Sequence, residues 1–378
     1  MVQEHETYMN TYKPSSMVPL FKVFMSPHVM QPLQEVLFSG YVTQGTKVEE
    51  FEQKLAKFLG NPYVVTVNSG TSALHLALDL CGVGPGDEVI TTPMTCTATN
   101  WPILAHGATI VWADIDPETG NIDPESIRQR LTKKTKAVMA VDWGGYPCDI
   151  DKMKHYVGDI PVIEDAAHAF GAMYKGKMVA NHADYTCFSF QAIKHLTTID
   201  GGALLVKNKR DYQKALLLRY FGIDRTKRSK DYRIEKDIYQ WGYKFHMNDV
   251  NATIGLANFE HTKEILRKHR DNAQFYKKAF RDLKTVTLMR EDPGYLSSYW
   301  LFTMKVKNVN RFMEYMKSRN VMASKVHRRN DTHPVTRAFQ RPLPNVDEFF
   351  SHMVCIPVGW WVTKEDRNYI ADLVCAYH

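Results

Sequence analysis

Between residues 63 and 170 one local pattern recurs: a short apolar run rich in valine and isoleucine, then a segment with helical spacing. YVVTV (63–67) leads into SALHLALDL, DEVITT (87–92) into TATNWPILA, TIVWAD (109–114) into PESIRQRL, KAVMAV (136–141) into IDKMKHYV, and IPVIED (160–165) into AAHAF. Runs without polar alternation are strands buried on both faces, and helices between them are the crossovers a parallel pair requires. The chain therefore predicts an α/β architecture: a mostly parallel sheet flanked by helices. Upstream, VEEFEQKLAKFLG (48–60) predicts a helix stopped at Gly60, and YTCFSF and ALLV add strands downstream.

The pattern changes near residue 255. TKEILRKHRDNAQFYKKAF predicts a long amphipathic helix, YWLFTMKV a strand, and a helix closes the chain. A length of 378 residues exceeds what one core usually organises. The division expected is a flexible N-terminal segment (1–17), a large domain (18–254) and a smaller α+β C-terminal domain (255–378). RTKRSKDYRIEKD (225–237) is too charged for a core and reads as an exposed excursion.

Several function classes fall away. The six cysteines are scattered with no CxxC pair, so neither a metal site nor a disulfide framework is expected, and a reducing, cytoplasmic setting is favoured. The N-terminus is polar and no apolar run approaches bilayer length, so no membrane partner is expected. A net charge of +7 suits a phosphate-bearing partner, but the basic residues form no nucleic-acid-binding block, and ordinary solvation explains the charge equally well.

The stretch FSFQAIKHLTTIDGGALL (188–205) sets Lys194 among Phe188, Phe190, Ile193 and Leu196. In open parallel sheets ligands bind beyond the carboxyl ends of the strands, so residues following each strand matter most. After the first comes NSGTSAL, where Gly70 and Thr71 open a helix whose free amides can bind phosphate, although plain N-capping by Asn68 or Ser69 also explains the string. Asp165 ends IPVIED and needs a cationic or hydrogen-bonding partner; alone it reads as a helix cap. Ser189 could meet the same phosphate, or be only a tolerated small residue. Lysine, buried acid and phosphate cradle together are what pyridoxal 5'-phosphate requires.

The chain also resembles the DegT/DnrJ/EryC1/StrS family of sugar aminotransferases, within the fold type I pyridoxal-phosphate-dependent transferases. The resemblance runs from about Val18 to the C-terminus on SGYVTQGTKVEEFE, NSGTSALHLAL, PGDEVITTP, DIDPETGNID, TKAVMAV, VIEDAAHAFGA, SFQAIKHLTTIDGGAL and GYKFHMNDVNATIGLANF. It implies that Lys194 joins the cofactor as a Schiff base and moves protons, that Asp165 pairs with the ring nitrogen, and that Gly70, Thr71 and Ser189 hold the phosphate. His168, one helical turn after Asp165, takes the place of a contact to the ring hydroxyl, or is a satisfied core histidine. Cys96 stands where relatives often carry a ring-stacking aromatic. Lys244 replaces the asparagine of GYN, which reaches the phosphate from the neighbouring subunit.

KVHRRNDTHP (325–334) departs from the usual HYxPLH. His327, Arg328 and Arg329, with Arg225, Lys227 and Arg228 on the excursion, are candidate substrate contacts or solvated surface. The function implied is a homodimer with shared active sites that takes an amino group from L-glutamate, passes through pyridoxamine 5'-phosphate, and aminates a nucleotide-diphosphate keto sugar. Carbon 4 of a 6-deoxyhexose is favoured, with carbon 3 second. The alternatives are a sugar dehydratase, which has histidine at the place of Lys194, and a non-catalytic regulatory or binding protein on the same fold.

Overall fold

Seven of the apolar runs pair edge to edge. In the computed structural model, which describes residues 12–225 and 237–378, they are β1 (Val64–Val67), β2 (Glu88–Thr91), β3 (Thr109–Trp112), β4 (Thr135–Val141), β5 (Val162–Asp165), β6 (Tyr185–Ser189) and β7 (Gly202–Val206). Their order across the sheet is β1-β7-β6-β5-β4-β2-β3. Contacts from β6 through β5, β4 and β2 to β3 are parallel, whereas β7 runs antiparallel to both its neighbours, β1 and β6. Residues 1–11 of the N-terminal segment, and Lys227 and Arg228 of the charged excursion, lie outside the described residues.

The strands are buried on both faces as their composition requires. Val65 and Val67 pack with Leu74, Ala77 and Trp112, while Val64 faces Phe51, Leu55 and Leu205 on the opposite side. Helices α1 (Thr46–Leu59), α2 (Gly70–Cys81), α3 (Thr97–Ala105) and α4 (Ile150–Val157) connect or cover these strands. Gly60 ends α1 at φ 71°, the left-handed C-cap that glycine adopts at least cost.

The segment AAHAF is not a helix. After β5 the Asp165 carboxylate accepts the Ala167 amide at 3.1 Å, and the chain then makes two tight turns, Ala169 N to Ala166 O and Ala172 N to Ala169 O. Gly171 follows at φ 78° with Leu266 packed against it, so the stretch is too short and too sharply bent to propagate a helix. His168 is thus placed by a turn.

A second core surrounds the antiparallel sheet β8 (Val286–Leu288), β9 (Phe302–Val306) and β10 (Met353–Ile356), in that order. Helix α5 (Asp249–Phe259) spans residue 255 and precedes α6 (Thr262–Phe280), which coincides with the long amphipathic segment; α7 (Lys364–Cys375) closes the chain. Tyr276 and Phe280 of α6 pack on Phe302 of β9. No helix among the described residues is long and apolar enough to cross a membrane.

Candidate active site

The carboxyl ends of β1, β4, β5 and β6 converge on a cavity of about 340 Å³, which Gly70, Thr71, Cys96, Asp165, His168, Ser189, Lys194 and His327 all line. Asp165 is 5% exposed; its Oδ2 accepts from Thr99 Oγ1 at 2.6 Å and its Oδ1 from the Ala167 amide. Burial raises this carboxyl above its ordinary range, opposed by Thr99, Ala167 and Lys194. No cation pairs with it among the described residues.

Lys194 follows β6 in the loop to β7. Burial pushes its ammonium down to about 8, against the upward pull of Asp165 and Cys96, so an appreciable fraction is free amine near neutral pH. Nζ stands 3.7 Å from the centre of the Trp300 ring.

Across the cavity Ser69 caps α2, accepting the Ser72 amide at 3.0 Å. The amides of Gly70 and Thr71, the first two of the helix, have no acceptor among the described residues, and the positive end of the helix dipole lies behind them. A Cβ on Gly70 would sit 2.9 Å from Ser189 Cβ, and one on Gly202 would sit 2.6 Å from the Gly70 amide nitrogen. Glycine at both places lets three strand ends close into one cradle.

Cys96 is the N-cap residue of α3, without a side-chain cap of its own. His168 is 3% exposed, its Nδ1 has no hydrogen-bond partner, and burial together with Lys194 and His327 holds it neutral, well below its ordinary value. His327 lies nearly parallel to it at 5.8 Å; burial and then Lys194 push its imidazole down to about 4, and its Nε2 is likewise buried without a partner.

The other candidates lie apart from this cluster within the chain. Lys244 is exposed on a bridge to Tyr220. Arg225 sits over the Tyr220 ring at 5.3 Å and donates to the Gln44 carbonyl. Arg328 donates to Thr332, and Arg329 is held by Asp331 and Asp347. His195, beside the lysine, faces away, with Nε2 3.0 Å from the Ser298 carbonyl and its ring against His269.

Three site residues escaped the sequence reading. Thr99 and its partner Thr95, whose hydroxyls are 2.7 Å apart, orient Asp165; their spacing of four at a helix start was the available signal. Trp300 gave none, because it sits within a strand-like apolar run.

Residues 25–375 match the model of the DegT/DnrJ/EryC1/StrS aminotransferase family. Over 259 residues the chain is 38% identical to the spore coat polysaccharide biosynthesis protein SpsC of Bacillus subtilis (strain 168), covering 67% of each. The crystal structure of the sugar aminotransferase CalS13 from Micromonospora echinospora matches with a TM-score of 0.93 at 37% identity, over 96% of this chain and 100% of that one. Spr1654 from Streptococcus pneumoniae, solved in a PLP-form and a PMP-form, is 26% identical with a TM-score of 0.87, covering 94% of this chain and 97% and 96% of the two forms.

Proposed function

Because the chain belongs to the DegT/DnrJ/EryC1/StrS aminotransferase family and has the fold type I architecture of its sugar aminotransferases, we propose that it moves an amino group from L-glutamate to the keto carbon of a nucleotide-diphosphate sugar. A 4-keto-6-deoxyhexose is the favoured acceptor. The observation that carries this reading is Lys194 and an unpaired, buried Asp165 in one cavity with the open start of α2.

The residues fit pyridoxal 5'-phosphate. A lysine with a depressed pKa supplies the attachment, a buried acid lacking a cation suits a protonated ring nitrogen, and two orphan amides beside the Ser189 hydroxyl suit a phosphate. The unpartnered His168 Nδ1 suits the ring hydroxyl. When bound, the cofactor would supply an aldehyde that condenses with amines and a ring that accepts electron density. Asp165 would hold the ring-nitrogen proton, itself oriented by Thr99 and Ala167. Lys194 Nζ, once free, would take and return the proton at the substrate carbon. Small Cys96, lining the same cavity, would leave room beside the cofactor for a bulky acceptor.

Residues 18–254 would form the cofactor domain and 255–378 the smaller one, in a cytoplasmic homodimer. Lys244 and Arg225, outside the cavity of their own chain, would serve the site of the other copy, and Arg328 and Arg329 would face the diphosphate. A panel of amino donors and keto sugars, read by 2-oxoglutarate formation, tests the reading. Turnover with glutamate and a dTDP- or GDP-linked keto sugar is expected, with the free sugar far poorer because the nucleotide supplies remote binding energy. Equal turnover of the free sugar, or activity with keto acids alone, would overturn it.

A further inference from the structure

The Trp300 indole is 2% exposed and engaged on every side. Its Nε1–H donates at 3.0 Å to the carbonyl of Ile193, the residue before Lys194. Phe21 stacks on it at 4.7 Å, His168 at 3.8 Å, and Lys194 Nζ stands 3.7 Å from the ring centre. The backbone presenting it is pinned at successive residues: Arg270 Nε donates to the Ser297 carbonyl at 3.0 Å, His195 Nε2 meets the Ser298 carbonyl at 3.0 Å, and His269 Nδ1 meets the Tyr299 carbonyl at 2.8 Å. Tyr299 holds φ 50°, a left-handed conformation that a bulky residue keeps only when its surroundings over-determine it.

Among the described residues the Lys194 ammonium makes neither a hydrogen bond nor an ion pair, so the indole is its nearest specific partner. That arrangement has a chemical use. A free lysine bonded to Asp165 would occupy the buried carboxylate proposed for the ring nitrogen. An aromatic face stabilises the cation without a directed bond and releases it readily.

We propose that Trp300 is a positioning residue that gives the unattached Lys194 amine its resting place, on the indole face and off Asp165. This rests on the reading of Lys194 as the cofactor attachment, yet the resting place is a property of the bare chain. It also accounts for the clamp of His195, His269 and Arg270, which holds the backbone of residues 297–299 that presents the indole. The titratable groups facing Lys194 are Asp165, Cys96, His168, His327 and, at the rim, Asp200, with His195 turned away behind it but close enough to interact electrostatically.

The test uses the cofactor-free protein. With 15N-labelled indoles, the Trp300 Nε1 resonance is expected to move with one midpoint near that of Lys194, about 8, and to stay still in Lys194→Met. Cyanate labelling of Lys194 against pH, read by peptide mass spectrometry, is expected to show the midpoint falling by on the order of one unit in Trp300→Leu, which keeps an apolar side chain there but removes the π face. Trp300→Phe should restore most of it. A Trp300 resonance indifferent to Lys194 overturns the proposal, as does a folded Trp300→Leu protein whose midpoint is unchanged or raised. Should Trp300→Leu not fold, the wild-type resonance decides. Failure of the cofactor reading shows separately, as an absence of borohydride-fixed pyridoxal phosphate on Lys194 with these titrations intact.

Discussion

Asp165 separates chemistry from folding at a single residue. Its carboxyl is raised by burial, so between the ordinary carboxylate pKa and the raised one the folded state holds a proton that the unfolded state has released, and stability falls as pH rises through that window. Asp165→Asn removes this burden: its one carbonyl oxygen can still accept the Ala167 amide, while its NH2 can donate to Thr99 Oγ1, whose hydroxyl can turn to Thr95. The cofactor-free variant is expected to melt no lower than wild type, while turnover drops by on the order of a hundredfold for want of a charged ring partner; paired thermal melts and steady-state rates check both. Lys194, Asp165 and the α2 start were legible because each follows a recognisable strand. Trp300 was not, since its role arises from a strained Tyr299 and contacts with residues more than a hundred positions away.

At the scale of elements, strands and the long helix were legible because burial on two faces, or on one, leaves a direct mark on composition. AAHAF misled because its small apolar residues suit a helix, while the outcome was decided by a side-chain turn at Asp165 and a packed Gly171. Some caps are equally invisible locally. Helix α1 begins at Gly45 with no cap of its own; Asp249 of α5 supplies it, accepting from Gly45 N at 2.8 Å, Val48 N at 3.1 Å and Lys47 N at 3.4 Å. Asp249→Ala strands these amides at a 4% exposed site, and a loss of about 2–3 kcal/mol is expected in urea unfolding. An unchanged midpoint would mean that water caps α1 equally well.

For the whole molecule, acid is the expected weakness. Burial pushes His269 and His327 each down to about 4, and holds His168 and His195 well below their ordinary value. Depressed folded values mean that the unfolded chain takes up protons first, so stability is complete above about pH 6.5 and is lost as pH falls toward 4, at up to about 1.4 kcal/mol per pH unit for each such histidine. Burial raises the carboxyls of Asp142, Glu164 and Asp165, which pull the other way over that interval, so melting temperatures should fall by the balance of the two sets; a melting temperature that rises on acidification would refute the sign. If the sites are shared in a dimer, Lys244→Ala should weaken cofactor retention roughly tenfold or less, a charge contact being lost while the covalent partner stays. A fully active monomer would rule that out.

The antiparallel β7 also bears on how such a protein is made. The proposed phosphate cradle hangs from β1 and the lysine loop from β6, and Gly202 of β7 stands in register with both Val67 and Ser189. A nascent chain that has left the ribosome only as far as Ser189 lacks the strand that joins β1 to β6. If the chain binds pyridoxal phosphate as proposed, a complete site would not exist before Val206 has emerged, and the yellow colour of the bound cofactor would serve as a clock for closure of the sheet.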